Sequence, residues 1–350
     1  MLKGKMRAPL AGIIVLAAIA AACGNDGSTP GPGNTDGGGT LASGSISISG
    51  SSTVEPISNL VAELFNETHV GAEVGITVAG PGTGDGFVLF CKGEIDIADA
   101  SRPIEDEEAQ ACADAGIEYV ELEVAFDGIT VMTNPANADV TCLNKGDLYA
   151  LFGPESDGFA NWSDADALAS EVGGTDSFPD QALEITAPGE ESGTYDAFID
   201  LAGIEDTALE HGVAEDNAAA LRSDYQSSGN DNIIIQAMEG NPGALGFVGF
   251  AFAQAAGDQV NEIEVDGGEG CVAPTADTIA DGSYPLSRSL FIYVNKEKIT
   301  SNPAVKPFVD FYLSDTGLVG TESAVGLADY VPLPQDRIDA TRAVWDAAAA

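Results

Sequence analysis

The stretch YVELEVAFDGITVMTN, residues 119–134, is rich in β-branched and aromatic side chains and contains no proline. It is long and extended enough to cross from one folded lobe into another. A second run of the same kind, YPLSRSLFIYVN at residues 284–295, reads as the return crossing. Two crossings that join two lobes leave a cleft between them, a common seat for a small ligand. The reading predicts a discontinuous first lobe, residues 46–127 with 290–350, and a second lobe, residues 128–289.

Outward from the first crossing, short β-like runs alternate with amphipathic helices, the pattern of an α/β fold with mainly parallel strands. SISISG at residues 45–50 alternates Ile46 and Ile48, and PISNLVAELFN sets Ile57, Leu60, Val61, Leu64 and Phe65 on one helical face. VGITVAG, GFVLFCKG and EIDIADA follow before the crossing; ALEITAPG, DNIIIQAMEG and ALGFVGFAF furnish the second lobe. The final helices, PAVKPFVDFYLS and QDRIDATRAVWDAAAA, are expected to pack back on the first lobe.

Four loops join a strand to a helix with small polar residues. In GSSTVEPIS, residues 50–58, Ser52 and Glu55 fit a capping box and Pro56 suits the first turn. AGPGTGDGFVLF, residues 79–90, lacks the glycine spacing of a dinucleotide fingerprint and the lysine of a P-loop. Its backbone can approach a ligand closely, with Thr83 offering a hydroxyl, and a plain tight turn explains it equally well. DIADASRPI, residues 96–104, places Ser101 and Arg102 after a strand: an oxyanion-binding fork, or an ion pair with the EDEE that follows. In APGEESGTYDAFIDLAG, residues 187–203, Ser192, Gly193 and Thr194 open a helix whose positive end Glu190 and Glu191 could complement. Taken together, four such junctions point to a shell of N–H and hydroxyl donors around a buried anion.

An anion site is at odds with the composition, 56 Asp plus Glu against 13 Lys plus Arg and a formal net charge of −43. The conflict is one of range: donors act at about 3 Å, whereas surface charges are screened within about 10 Å. The same acidity excludes nucleic acid as a partner. The N-terminus carries Lys3, Lys5 and Arg7, an apolar run from Ala8 to Ala22, and Cys23, which together read as an export signal. AIAAAC resembles a bacterial lipobox with Ala20 where leucine is usual, so Cys23 is expected to be acylated, a bare secretory signal being the alternative. Residues 24–45 are Gly, Ser, Pro and Thr-rich and read as a flexible tether. Four further cysteines in an oxidising compartment imply two disulfides. Of three connectivities, Cys91 with Cys112 and Cys142 with Cys271 is preferred, because the first closes a local loop and leaves the distal pair.

In one order along the chain, GSSTVEPI, GTGDGF, DIADASRPI, EVAFDGITVMTN, ESGTYDAF, ALGFVGFAF and YPLSRSLFIYV resemble the phosphate-binding proteins of high-affinity phosphate ABC transporters, the PstS type. The likeness runs from about Ile46 to about Pro334. It implies a two-lobed periplasmic-binding-protein fold of type II that holds inorganic phosphate between the lobes and delivers it to permease subunits. A monomeric carrier is implied, without cofactor, metal or catalysis, in the periplasm or at the outer face of the cell membrane. Position by position, the resemblance assigns phosphate to Thr53 and the N–H of Val54, to Thr83, and to Ser192, Gly193 and Thr194. Many members carry an arginine four residues before the serine, where Pro188 stands here. A subgroup with Ser-Arg after the third strand matches Ser101 and Arg102 instead. Other members place a proton-accepting aspartate in that loop; Asp127 is the first candidate for the role here, with Asp85 and Glu191 as reserves.

A binding protein for another tetrahedral oxyanion, sulfate or molybdate, is the nearest alternative. A secreted phosphatase would need a metal cluster or an activated nucleophile. GEESG lacks the spacing of a nucleophile elbow, and His69 and His211 are the only histidines.

Overall fold

A computed structural model describes residues 43–350 apart from 70–72, 176 and 191. The export signal, Cys23, most of the tether and Glu191 lie outside the described residues. The first strand, β1 (Ser43–Gly50), starts inside the stretch assigned to the tether, because Ser43 to Ser45 already pair with β2 (Glu73–Ala79). Between them runs α1 (Glu55–Thr68), with Ile57, Val61 and Phe65 fully buried at helical spacing. Next come α2 (Thr83–Cys91), β3 (Ile97–Ala100), α3 (Asp106–Asp114) and the first crossing, β4 (Tyr119–Thr133). The chain then forms β5 (Cys142–Asn144), α4 (Lys145–Phe152), α5 (Asp166–Glu171), β6 (Glu184–Ala187), α6 (Gly193–Ala202), β7 (Gln226–Ser227) and β8 (Ala244–Gly249). Four short or returning strands complete it: β9 (Asn261–Glu262), β10 (Glu264–Asp266), β11 (Cys271–Val272) and the second crossing, β12 (Ser287–Asn295).

One continuous sheet runs through both lobes in the order β2-β1-β3-β12-β4-β8-β6-β7, with β9 added beside β4. Strands pair in parallel inside each lobe, β1 with β2 and β3, β6 with β7 and β8. The crossings depart from the expected parallel order, β12 being antiparallel to both β3 and β4, and β4 antiparallel to β8. A chain that leaves one lobe and later returns beside its own outward path must run the opposite way.

The interior changes hands along these strands. Val120, Leu122, Val124 and Ala125 of β4 belong to a core with Ile46, Phe65, Phe308 and Trp345, whereas Phe126, Ile129 and Val131 belong to a core with Phe152, Trp162, Phe198 and Phe247. On β12, Leu290 and Ile292 belong to the first core, and Leu286, just before the strand, belongs to the second. The β4–β12 register shifts between Leu290 and Phe291, within a few residues of this handover. The last helix, Gln335–Ala348, departs from the expectation that it packs on the first lobe alone: Trp345 lies in the first core but Ile338 in the second, together with Val331 and Leu333.

Both expected disulfides form. Cys91 and Cys112 fasten α2 to α3, and Cys142 and Cys271 link the outer strands of a small sheet ordered β11-β10-β5. Among the described residues, no helix is long and apolar enough to cross a membrane.

Candidate functional site

The loop after β1 is drawn tightly onto β3. The amide of Ser51 donates to the carbonyl of Asp99 at 2.8 Å, and a Cβ on Gly50, whose φ is +150°, would lie 2.0 Å from that same oxygen. Only glycine permits the approach. Gly86 of α2 rests on Gly50 in turn, where its own Cβ would come within 2.5 Å of the Gly50 Cα. These contacts bring the start of α2 beside the start of α1. As a result Thr83 Oγ1 lies 3.1 Å from Ser101 Oγ and accepts from the Ser101 amide at 3.2 Å.

At the start of α1 the expected capping box does not form, and a serine turn precedes the helix instead. Ser51 Oγ, not Ser52, accepts from the amides of Thr53 and Val54 at 3.1 and 3.3 Å. The Val54 amide also donates to the Ser51 carbonyl at 3.2 Å, so this expected ligand donor is turned into its own loop. Ser52 is thereby freed to reach across the cleft, where its Oγ donates to Asp196 Oδ2 at 3.1 Å. Thr53 is buried, and its Oγ1 accepts from Arg288 Nη2 at 3.1 Å.

The opposite wall is α6. Its position is fixed by Phe198, stacked on Phe247 with centroids 3.9 Å apart, an arrangement worth about 1 kcal/mol beyond burial. Ser192 caps the helix by accepting from the Thr194 amide at 3.2 Å. Gly193 meets the first lobe directly: a Cβ there would lie 3.2 Å from the Ser52 carbonyl oxygen and 3.3 Å from the Thr53 Cα. Thr53 and the Ser192–Thr194 turn are thus brought together, as the sequence predicts.

Beside this junction, a cleft of about 440 Å³ is lined by Thr83, Ser101 and Arg102 on one side and Tyr195, Asp196 and Asp200 on the other. Arg102 forms the ion pair that the sequence left open. Its guanidinium donates to both oxygens of Glu108 at 2.8 Å, and Nε lies 3.2 Å from Glu105. Asp127 is buried at the crossing, but its Oδ2 accepts from Arg288 Nε at 3.3 Å. Burial lifts the Asp127 carboxyl above its ordinary range, against the pull of the Arg288 charge.

Sequence reasoning missed Arg288, Asp196 and Asp200. The one available signal was an arginine inside the otherwise apolar run YPLSRSLFIYVN of a chain with only 13 basic residues. It missed Asp99 as well, which lies fully buried behind the α1 start and accepts from Ser58 Oγ at 3.0 Å, while its Oδ2 has no partner. Burial pushes the Asp99 carboxyl up to about 7; the Ser58 hydrogen bond opposes this and the charge of Glu55 adds to it. Between about pH 4 and 7 the native protein therefore holds a proton that the unfolded chain has released. Stability should fall as pH rises through this window, by up to about 4 kcal/mol. Asp99→Asn should flatten that fall in denaturation measured at pH 5 and pH 8. An equal fall in both proteins would place the titration elsewhere.

A two-lobed α/β body with the Thr83 and Ser101 hydroxyls lining a cleft defines a class of ligand-binding protein, and residues 35–316 match the family model of the PBP superfamily domain. The chain belongs to that superfamily. It is 38% identical over 287 residues to protein SphX of Synechocystis, covering 81% of this chain and 77% of the relative. It is 34% identical over 285 residues to the phosphate-binding protein PstS of Staphylococcus haemolyticus, covering 81% and 79%. Among solved structures, a possible phosphate binding protein from Planctomyces limnophilus superposes with a TM-score of 0.77 at 35% identity, covering 88% of this chain and 100% of the other. An ABC-type phosphate transport receptor from Vibrio cholerae does so with 0.58 at 26%, covering 83% and 100%.

Proposed function

We propose that this protein captures inorganic phosphate in the cleft and hands it to the permease of an ABC transporter, without chemistry of its own. The observation that carries the reading is the direct approach of the two lobes at their small polar loops, Gly193 against the Ser52 and Thr53 backbone, with the Thr83 and Ser101 hydroxyls on the adjoining wall. The names of the relatives support the choice of phosphate over sulfate or molybdate. Thr53, Thr83, Ser101, Ser192, Gly193 and Thr194 are the proposed ligand set, with Arg102 at the rim, where it remains tied to Glu108. The export signal and Cys23 suit a carrier tethered at the outer face of the membrane. Neither histidine lines the cleft: His69 stacks on Phe65 and His211 pairs with Glu155. A phosphatase reading gains no support from either.

The expected result is a 1:1 complex with a Kd of micromolar or tighter, about −8 kcal/mol. Calorimetric titration with phosphate, sulfate and arsenate checks it. No heat and no thermal shift at millimolar phosphate would sink the assignment, and a preference for sulfate would move it to another oxyanion.

A further inference from the structure

Arg288 uses each of its three nitrogens on a different part of the molecule. Nε donates to Asp127, its register partner on β4; Nη2 donates to Thr53 in the first lobe; Nη1 donates to Asp200 Oδ2 on α6, at 2.7 Å. The two carboxylates are not equivalent. The Asp127 side chain is 8% exposed and that of Asp200 66% exposed. A buried carboxylate that lost its guanidinium would be left charged and unpaired, which is costly, whereas an exposed one returns to water. Asp127 is therefore the lasting partner and Asp200 the exchangeable one. Asp196, one turn earlier on α6, occupies the Ser52 hydroxyl in the same manner. Helix α6 thus extends two carboxylates, four residues apart, onto donors that flank Thr53.

We propose that Arg288 is the principal cationic donor to the bound anion, that Asp127 positions it, and that Asp200 is a built-in competitor which the anion displaces from Nη1. The inference rests on the phosphate-carrier reading above. It also gives the acidity of the cleft a task, since an internal carboxylate keeps the guanidinium extended and oriented while lowering the affinity for every incoming anion.

The test is calorimetric titration of the full chain with phosphate and, separately, sulfate. Asp200→Asn should bind phosphate about three- to tenfold tighter, because an exposed ion pair no longer competes. Arg288→Lys should bind at least about tenfold weaker, since a point charge cannot serve Asp127, Thr53 and an anion together. Should Arg288→Gln fail to fold with Asp127 unpaired, the double variant Arg288→Gln with Asp127→Asn removes the stranded charge and should show the same loss. Asp127→Asn alone should weaken phosphate and sulfate by one common factor, as expected of a group that acts through the arginine; loss confined to phosphate would make it the acceptor of the ligand's proton and overturn the positioning role. Unchanged or weaker phosphate binding by Asp200→Asn, or wild-type binding by Arg288→Lys, overturns the proposal while phosphate capture stands. Absence of phosphate binding by the wild type overturns both.

Discussion

Gly193→Val is expected to weaken phosphate binding about 10- to 100-fold with little change in melting temperature. The Cβ would already stand 3.2 Å from the Ser52 carbonyl oxygen and 3.3 Å from the Thr53 Cα, and valine adds two methyl groups beyond it. These neighbours are backbone atoms of the other lobe, so no side chain can rotate away; the lobes must part instead. Overpacking of this kind costs about 1 to 3 kcal/mol, which here falls on closure and hence on affinity. Folding is spared because Gly193 is not among the glycines with a positive φ, and each lobe keeps its own core. Gly193→Ala should lose less, since a few tenths of an ångström suffice to accommodate its single methyl. Wild-type affinity in the valine variant would mean that the ligand is held without this contact.

Replacing Cys142 and Cys271 together by alanine should produce the largest loss of stability. Their sequence separation is 129, against 21 for Cys91 and Cys112. Chain-entropy arithmetic assigns about 5 kcal/mol to the longer loop and about 3 kcal/mol to the shorter. In a protein of this size either deficit lowers the melting temperature by several degrees. Equilibrium denaturation of the two double variants should rank them in this order. Phosphate affinity should survive in both, because neither bridge borders the cleft. The reverse ranking would show that the second lobe's other contacts already restrain that loop in the unfolded chain.

The crossings could be read directly because their signal is local: long runs of β-branched and aromatic residues without a breaker. The Ser, Thr and Gly loops were legible for the same reason; counting the cysteines gave two disulfides, and the preference for closing a local loop chose the pairing that forms. What escaped was set by distance along the chain. Arg288 meets its partners across separations of 88, 161 and 235 residues, and nothing near it in sequence announces an ion pair. The exchange of roles between Ser51 and Ser52 is a matter of backbone direction after Gly50, which spacing alone does not encode. The antiparallel course of β12 likewise depends on where the second lobe lies when the chain comes back.

The two connections between the lobes are neighbouring rungs of a ladder, not independent linkers. From Tyr119 with Asn295 to Gly128 with Ser287 they are paired throughout except at Val124, so one lobe cannot slide past the other without breaking that whole series. Nor can it swivel freely, because two bonded strands resist torsion as a ribbon does. What remains is flexure across the ribbon's flat face, easiest where the register already slips at Leu290 and Phe291. A hinge confined in this way would trace a single arc, returning Gly193 to the same spot on the Ser52 and Thr53 backbone each time the lobes met.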